Sequence, residues 1–484
     1  MKPDALERYF SRFETIIKKH RNTNPEMCMR TIATYAYLLF KYNQSYNNSL
    51  LEEIIDQYSN SFMTKNPELV MDDKTVVFYD SFGLDMRGLC LIYLTALVDL
   101  GYKVVYLVDE SKRDKQPILN KHLHEKIKIE YISFRNTYIK QIEIIRECII
   151  RNHAGKAFIY THPNDISGVI AFQSIKKVAD TFFIDLTDHA YWLGIHCCNT
   201  YIEFRDFGKK VCVDYRRIDE SSLVKLPYYP YIDKSVAFEG LPFEIDNKKI
   251  ILSGGDLYKT FDKNLTYYCL VEELIKKTDC VFLYVGKGDR RYLEELKSKY
   301  PTKIYIENER KDLFQLMKCS YIYLNTYPQM GGLMTQYAVM ANKVPFTLCI
   351  NGDLKGVLLN EKPGTIYYSD MHTMIADIIR SISDSEFLKN KYEAIKDSVI
   401  SPERFALELE RIMLSHRSTF VFLSEKTNIN KFGESYKDRF SALDICDAVA
   451  SRRNLHLFIY FPLQFMNGML NKCGRLLKKV IRNE

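Results

Sequence analysis

The sequence predicts an α/β protein with two doubly wound parallel sheets and helical extensions at both ends. Strand-like apolar runs alternate with helical patterns over two long stretches of the chain, as in successive βαβ units. A chain of 484 residues exceeds one ordinary core, so two such domains are expected. Glycines follow the first strands of the second stretch, at the edge where open α/β sheets bind ligands.

Four segments are expected from these patterns. Residues 1–70 have apolar side chains at helical spacing and are predicted to form an N-terminal helical extension. Residues 71–235 and 245–400 alternate strands with helices and are predicted to form two Rossmann-like domains. The short stretch between these domains lacks periodicity and is a linker. Residues 401–484 are predicted to form helices that end in a basic amphipathic tail.

Composition argues against several classes of function. A hydrophobic fraction of 46% and a charged fraction of 27% are ordinary for a globular protein. A net charge of +7 is mild for this length, so no nucleic-acid partner is expected. The 12 cysteines contain no C-x-x-C pair, which predicts neither a zinc site nor a redox motif and favours a reducing cytoplasm. Neither a signal peptide nor a transmembrane helix is expected.

The segment 325–346 contains the clearest candidate site. A buried strand leads through Pro328 to Gly331 and Gly332, where a helix over 333–341 begins. Glycine lets the backbone approach a ligand, and a helix start offers free N–H groups with a partial positive charge. The pattern predicts an anion site. A turn whose glycines serve only chain geometry is the alternative.

Two further glycine turns follow strands of the same domain. The first strand ends in Gly254 and Gly255, and Lys259 lies four residues beyond the second glycine. This arrangement suits a diphosphate, because amides approach it and the ammonium offsets its charge. An exposed loop lysine is the alternative. The next strand ends in Gly286, within a G-K-G-D turn that lacks the spacing of a P-loop.

Polar residues also follow strands of the first domain. Asp80, Gly83 and Arg87 follow its first strand, and His162 follows a later one. Ligands of open α/β sheets bind at this edge, so these four residues are predicted to bind an acceptor, and Arg87 could instead contact the donor phosphate. A surface ion pair for Arg87 and a solvated or capping role for His162 are the alternatives.

The densest polar constellation is DLTDHAYWLG, residues 185–194. It combines two carboxylates, one histidine and the single tryptophan of the chain. Asp188 or His189 could accept a proton from a hydroxyl as a general base, and Trp192 is predicted to contact the acceptor. The alternative is that Asp188 simply caps a helix starting near His189.

Two patches resemble GT-B glycosyltransferases of the bacterial surface-polysaccharide (capsule or lipopolysaccharide) type. One patch in the first domain is D-H-A-x-W-L-G followed by E-F-R-D-F-G. The other patch, in the second domain, matches the donor-binding signature of the family at Pro328, Gly331, Gly332, Thr335, Met340, Ala341 and Pro345. This second patch departs from the family pattern at two positions: Ala338 stands where many retaining members carry Glu, and Lys343 stands where Gly is usual.

The resemblance implies a GT-B fold with two Rossmann-like domains facing a cleft. It also implies a nucleotide-sugar donor, with a UDP-sugar expected, and no required cofactor or metal. The implied donor contacts are Gly254, Gly255, Lys259, Gly286, Asn308, Arg310, Pro328, Gly331, Gly332, Met334 and Thr335. Asn308 and Arg310 follow the predicted strand over 304–307, and for these two residues a plain loop without a donor contact is the alternative.

We therefore expect a glycosyltransferase that moves a sugar from a nucleotide-diphosphate donor to a glycan or lipid-linked acceptor. Lys259 and the helix start after Gly331 and Gly332 would stabilise the leaving diphosphate. His189 or Asp188 would deprotonate the acceptor if transfer inverts the anomeric centre. A sugar-nucleotide epimerase, a polyol-phosphate transferase and a non-catalytic partner subunit are the alternatives.

The C-terminal tail places apolar residues before a basic cluster. Phe458, Ile459 and Phe461 precede Lys472 and Arg475, among others. This order suits a helix lying on an anionic membrane, which predicts peripheral contact with the inner face of the cell membrane. Core packing with a solvated basic end is the alternative.

Overall fold

The structure is a computed structural model whose contacts divide the chain into two units. Unit 1 contains residues 1–226, 406–425 and 429–484, and unit 2 contains residues 227–405 and 426–428. The structure describes residues 3–63, 70–83, 89–115, 117–244, 248–350, 356–359, 366–424, 429 and 442–481.

Unit 1 begins with a layer of three helices. Phe13, Ile32 and Ile54, one from each helix, are fully buried and share a core with the strands that follow. Asn24 and Asn48 cap the second and third helices by accepting backbone N–H bonds. The helices are α1 (Pro3–His20), α2 (Pro25–Tyr42) and α3 (Ser49–Phe62).

The sheet of unit 1 is parallel and buried on both faces, which explains its nearly continuous apolar strands. The described strands are β1 (Asp72–Asp80), β2 (Lys103–Asp109), β3 (Lys128–Ile132), β4 (Ala154–Tyr160), β5 (Asp180–Asp185), β6 (Thr200–Glu203) and β7 (Leu223–Lys225). Their order is β3-β2-β1-β4-β5-β6-β7, so the order reverses between β1 and β4. The intervening helices are α4 (Leu89–Asp99), α5 (Pro117–His122), α6 (Tyr138–Arg151), α7 (Ile166–Ile175) and α8 (Asp206–Val211).

Unit 2 repeats this plan with a second parallel sheet. The described strands are β8 (Ile250–Gly254), β9 (Val281–Val285), β10 (Ile304–Glu307), β11 (Ile322–Leu324), β12 (Pro345–Leu348) and β13 (Tyr367–Tyr368). Their order is β10-β9-β8-β11-β12-β13, so the reversal falls between β8 and β11. The helices are α9 (Thr266–Lys277), α10 (Arg291–Lys299), α11 (Leu313–Cys319), α12 (Gly332–Met340), α13 (Met371–Ser383) and α14 (Ser385–Glu393).

The C-terminal helices are α15 (Pro402–Ser415), α16 (Ala442–Val449) and α17 (Pro462–Ile481). The last two lie against the first helices of unit 1. Phe461 stacks on Phe13 with 4.7 Å between ring centroids, and the Asn454 amide donates to the Thr34 hydroxyl at 2.8 Å. Within the described residues, none of the helices combines the length and the apolar composition needed to cross a lipid bilayer.

One local expectation is wrong. The segment between β5 and β6 is a loop of turns, and no helix starts near His189. The reason is that Asp188 does not cap backbone N–H groups. Its carboxylate binds the guanidinium of Arg205 instead, with N···O distances of 2.6 and 2.8 Å.

Candidate functional site

The candidate anion site of unit 2 lies at the reversal of strand order. β8 and β11 are neighbours in the sheet, and their carboxyl ends are Gly254 and Leu324. In doubly wound sheets, adjacent loops diverge at such a reversal and leave a crevice for ligands. The turn 325–331 and the start of α12 follow directly from β11. Pro328 lies in this turn, after a cis peptide bond to Tyr327.

Asn325 organises this turn from a buried position. Its side-chain carbonyl accepts the backbone N–H of Gly331 at 2.8 Å, and its amide donates to Thr335 and Thr347 at 2.8 and 3.1 Å. The sequence interpretation did not assign Asn325 a role. The signal in the sequence that could have identified Asn325 is its place as a polar residue directly after a buried strand.

The first turn of α12 presents backbone donors. The N–H groups of Gly332, Leu333 and Met334 have no partner among the residues that the structure describes, and the first helical bond is Thr335 N–H to Gly331 O at 3.0 Å. A helix start of this kind attracts anions. Gly331 differs, because Asn325 already takes its N–H group. Thr335 is buried and its hydroxyl donates to Gly331 O, so it shapes the turn.

The other glycine turns of unit 2 approach one another closely. Gly255 has φ +127°, and its N–H donates to Val285 O at 3.0 Å. A Cβ at Gly286 would collide with the carbonyl oxygen of Gly255. A Cβ at Gly254 would lie 3.6 Å from the methyl group of Met334, which places this turn beside the start of α12.

The segment that carries Lys259 is joined to the Pro328 turn. Lys259 belongs to a 3-10 helix over Leu257–Thr260, and its carbonyl accepts the N–H of Gln329 at 3.2 Å. The Lys259 side chain is half-buried. The structure therefore brings the predicted lysine segment and the predicted glycine turn together in one unit.

Asn308 and Arg310 lie elsewhere. They follow β10, which is separated from β8 by β9. Arg310 binds both carboxylate oxygens of Asp312, at 2.8 and 2.6 Å, and Asn308 accepts a bond from Arg290 at 2.7 Å. These contacts fix the loop after β10 and do not bring the two side chains to the β8–β11 reversal.

The end of α12 explains the departure at Lys343. Asn342 has φ +61° and takes the left-handed position at which the helix ends. The N–H of Lys343 then bonds to Ala338 O at 2.8 Å, which closes the helix end without a glycine. Ala338 itself is fully buried.

At the β1–β4 reversal of unit 1, Asp80 holds the turn together. Its carboxylate accepts the N–H groups of Phe82 and Gly83 and the hydroxyl of Tyr106, at 2.7–2.9 Å. Burial raises the pKa of Asp80 to about 6. The predicted acceptor contact by Asp80 does not fit this position, because both oxygens are bound and enclosed.

His162 is exposed at the same edge, with its ring centroid 3.9 Å from that of Phe82. Gly83 has φ +57°, a left-handed conformation that glycine favours. Arg87 lies outside the described residues.

In the loop after β5, Asp188 and His189 have different environments. Burial would raise the pKa of Asp188, but the charge of Arg205 and its two hydrogen bonds outweigh burial and hold this pKa well below its usual range. Asp188 is therefore a poor proton acceptor. The His189 side chain is 35% exposed, and its Nδ1 lies 3.3 Å from the Asp188 carboxylate.

The predicted acceptor contact by Trp192 is wrong, because Trp192 is a core residue. It stacks on Phe183 at 4.6 Å, and its indole N–H donates to Asp185 at 3.0 Å. The Arg216 guanidinium lies 4.4 Å from its ring centroid. A single aromatic residue in a polar segment indicated a ligand contact, but here it covers a buried ion pair.

A buried acidic group lies below this loop. The donor atoms of Asp185, Glu203 and Cys212 lie within 4.8 Å of one another. Burial and the nearby Asp185 charge raise the pKa of Glu203 well above its usual value, which favours its neutral form. Arg216 Nη1 lies 3.5 Å from Asp185 and 3.4 Å from Cys212. A guanidinium thus occupies the place of a cation, and the group does not fit a metal site.

The N-terminal helices hold the loop that carries His189. The Asn43 amide donates to His189 O at 2.8 Å and its carbonyl accepts the N–H of Tyr191 at 3.1 Å. The Glu52 carboxylate accepts the N–H groups of Gly194 and Ile195 at 3.1 and 3.2 Å. Burial raises the pKa of Glu52 to about 7. The helical layer therefore positions the candidate base, a role that its sequence did not indicate.

Solved structures with similar backbones identify the fold class. A glycosyltransferase from Rickettsia africae aligns with a TM-score of 0.52 and 15% identity, over 70% of this chain and 98% of that chain. The apo form of the lipopolysaccharide outer core galactosyltransferase WaaB aligns with a TM-score of 0.50 and 13% identity, over 71% and 99%. A UDP-N-acetylglucosamine 2-epimerase aligns with a TM-score of 0.50 and 10% identity, over 73% of this chain and 99% of that chain.

These likenesses confirm the predicted fold, which is the two-domain Rossmann-like α/β architecture of GT-B proteins. Both the transferases and the epimerase share it, so the backbone alone does not choose between these activities. Neither a protein-family profile nor a curated protein sequence matches the chain.

Proposed function

We propose that the chain is a glycosyltransferase that moves a sugar from a nucleotide-diphosphate donor to a glycan or lipid-linked acceptor in bacterial surface-polysaccharide synthesis. The observation that carries this proposal is the start of α12. Three backbone N–H groups lie there without a partner in the described residues, at the β8–β11 reversal and beside the Gly254 turn. Such a position suits a pyrophosphate.

The donor is a sugar nucleotide, with a UDP-sugar expected. The N–H groups of Gly332, Leu333 and Met334 bind phosphate oxygens, whereas the N–H groups of Gly255 and Gly286 already bond to Val285 O and Glu307 O and shape the neighbouring turns. Lys259 supplies a positive charge from the adjoining segment. These donors stabilise the negative charge that develops on the leaving diphosphate, and their geometry is fixed in advance by Asn325.

The general base is His189. Asp188 is bound to Arg205 and does not take the proton. Instead its carboxylate contacts His189 Nδ1, which leaves Nε2 to accept a proton from the acceptor hydroxyl. His162 is an acceptor contact. The proposal places the reaction in the cytoplasm and requires no metal.

Nucleotide binding is the first test. In a thermal-shift screen of the full chain with UDP, GDP and CDP, one of the three nucleotides should raise the melting temperature. A ligand at about 100 times its Kd increases the free energy of unfolding by about 2.7 kcal/mol. Lys259→Ala should weaken that binding about tenfold or more. Lys263→Ala, an exposed lysine in the next loop, is the matched control and should bind like the wild type.

Labelled sugar nucleotides then separate the activities. Transfer of label only when an acceptor is present supports the transferase. Conversion of the sugar without an acceptor would assign the chain to the epimerase alternative. Absence of binding by every nucleotide diphosphate would contradict the proposal and favour a non-catalytic subunit.

A further inference from the structure

We propose that Asn43, the residue at which α2 ends, sets the direction and the tautomer of the His189 ring. Asn43 is then a positioning residue of the reaction, contributed by the N-terminal helical layer. This role rests on the proposed function, in which His189 is the general base. It adds that the base works in the orientation that Asn43 imposes on it.

The side chain of Asn43 bridges the backbone on both sides of Ala190. Its amide donates to His189 O at 2.8 Å, and its carbonyl accepts the N–H of Tyr191 at 3.1 Å. One orientation of the amide fits, because His189 O can only accept and the N–H of Tyr191 can only donate. Asn43 is 2% exposed, so water competes little for these two bonds. The bonds therefore fix the backbone from which the His189 ring projects.

The other carbonyl groups of the turn 187–190 are held by a different group. The buried guanidinium of Arg216 donates to three of them, at 3.2, 3.3 and 2.6 Å: Thr187 O, Asp188 O and Ala190 O. Asn43 holds the fourth, His189 O, which the Tyr46 hydroxyl also approaches to 3.5 Å. Arg216 thus shapes the turn, and Asn43 fixes the residue in it that carries the proposed base.

The ring of His189 is held at a second point. Its Nδ1 lies 3.3 Å from the carboxylate of Asp188, which two hydrogen bonds fix to Arg205. Because a carboxylate accepts, Nδ1 carries the proton of the neutral ring and Nε2 is left as the proton acceptor. This tautomer is favoured only while the ring faces Asp188. If the backbone of His189 turned, Nδ1 would leave the carboxylate and both tautomers would form.

The backbone of Asn43 shows that the helix end does not need the Asn43 side chain. Asn43 has φ 44° and ψ 50°, a left-handed conformation, and its N–H donates to Leu39 O at 2.8 Å. Glycine takes this conformation most readily and commonly ends helices in this way. What glycine lacks is the amide that binds the turn of His189. Asn43→Gly therefore removes the clamp and keeps the helix end.

Two measurements on the full chain test this role. In protein with isotopically labelled histidine nitrogens, the NMR shift of each ring nitrogen reports whether it carries a proton, and His189→Gln identifies the His189 signals. Over the pH range in which the ring is neutral, the wild type should have its proton on Nδ1, and Asn43→Gly should give a mixture of both tautomers. Steady-state kinetics should show that Asn43→Gly lowers kcat about 10- to 100-fold, because the base is misdirected, with the donor KM near wild type.

Asn24→Gly is the matched control, because it makes the same substitution at the other end of α2, roughly 28 Å along the helix from Asn43. The exposed Asn24 side chain accepts the N–H of Met27 at 3.0 Å. This control should leave the ring signals and kcat at the wild-type values. If Asn43→Gly does not fold, Asn43→Asp keeps the shape and the left-handed conformation and replaces the donor to His189 O, so the same changes are expected.

Wild-type ring signals in the folded Asn43 variant, or an equal loss of kcat in Asn24→Gly, would overturn the inference. A changed tautomer with an unchanged kcat would uphold the clamp and reject His189 as the base. The positioning role and the proposed function therefore fail by different results.

Discussion

Unit 1 and unit 2 both end their central strands at a reversal of strand order, but different groups fill the two edges. In unit 2, backbone amides and glycines line the edge, and Asn325 fixes them from below. In unit 1, the carboxylates of Asp80 and Asp188 are enclosed by their own hydrogen-bond partners. His162 and His189 are the predicted site residues of unit 1 whose rings reach solvent.

Under the proposed function, this difference would let one topology support two tasks. Backbone donors cannot titrate, so the edge of unit 2 suits a permanent anion such as a diphosphate. An imidazole beside a carboxylate suits proton transfer. The edge of unit 1 therefore combines buried ion pairs with the partly exposed ring of His189, the proposed base, and the ion pairs hold the loop that carries it.

The largest effect should come from breaking a buried ion pair of unit 1. Asp188→Ala leaves the Arg205 charge buried without its carboxylate and should lower the free energy of unfolding by about 3–5 kcal/mol, measured by guanidinium denaturation. Asp289→Ala removes the partner of Arg291 at the surface of unit 2, where the two side chains are 56% and 75% exposed. This substitution should change the free energy of unfolding by less than about 0.5 kcal/mol. Equal effects would mean that the Asp188 pair has no special structural role.

Removal of the proposed base should act on rate alone. His189→Gln should lower kcat about 100- to 10,000-fold, because the acceptor hydroxyl loses its proton acceptor, while the melting temperature and donor KM stay near wild type. Steady-state kinetics with varied donor and acceptor provide the measurement. His162→Gln should instead raise the acceptor KM. The assignment fails if the two variants have the same kinetic signature.

Glu52, in the helical layer of unit 1, should make the stability of the protein depend on pH. Burial raises the pKa of Glu52 from 4.5 to about 7, so the folded chain keeps a proton that the unfolded chain releases. Glu52 thus favours folding most below pH 4.5, and this contribution is lost as pH rises through 7. The stability of Glu52→Gln relative to wild type should rise by up to about 3 kcal/mol across this window.

Guanidinium titrations at successive pH values measure this difference. Asp80 also has a raised pKa but is present in both chains, so its effect cancels. A difference that stays constant from low to neutral pH would show that Glu52 does not titrate with folding.

A smaller effect is expected inside the glycine turn of unit 2. Asn325→Leu leaves the Gly331 N–H without its partner and should cost about 1–3 kcal/mol of stability and weaken binding of the preferred nucleotide diphosphate. Asn308→Leu makes the same substitution at an exposed site after β10 and should leave both quantities near wild type. Calorimetric titration of both variants decides whether the donor contacts the α12 turn or the loop after β10.

The alternation of apolar runs and helical patterns was sufficient to predict two parallel sheets, and glycines marked the turns of unit 2. Backbone sites leave such a mark because only glycine permits the close approach seen between Gly255 and Gly286. The edge of unit 1 was harder. Burial of Asp188 and Trp192 depends on Arg205 and Arg216, which return from a later part of the chain. Asn43 and Glu52 act from a helical layer that carried no motif.

Hydrogen exchange with the preferred nucleotide diphosphate tests the central claim most directly. At saturation, peptides that contain residues 253–260 and 328–336 should exchange more slowly, because the N–H groups of Gly332, Leu333 and Met334, which have no partner in the described part of the chain, acquire phosphate partners. Peptides over 186–196 of unit 1 should be unchanged. Protection confined to the loop of unit 1, with none at the start of α12, would contradict the assignment of the donor site to unit 2.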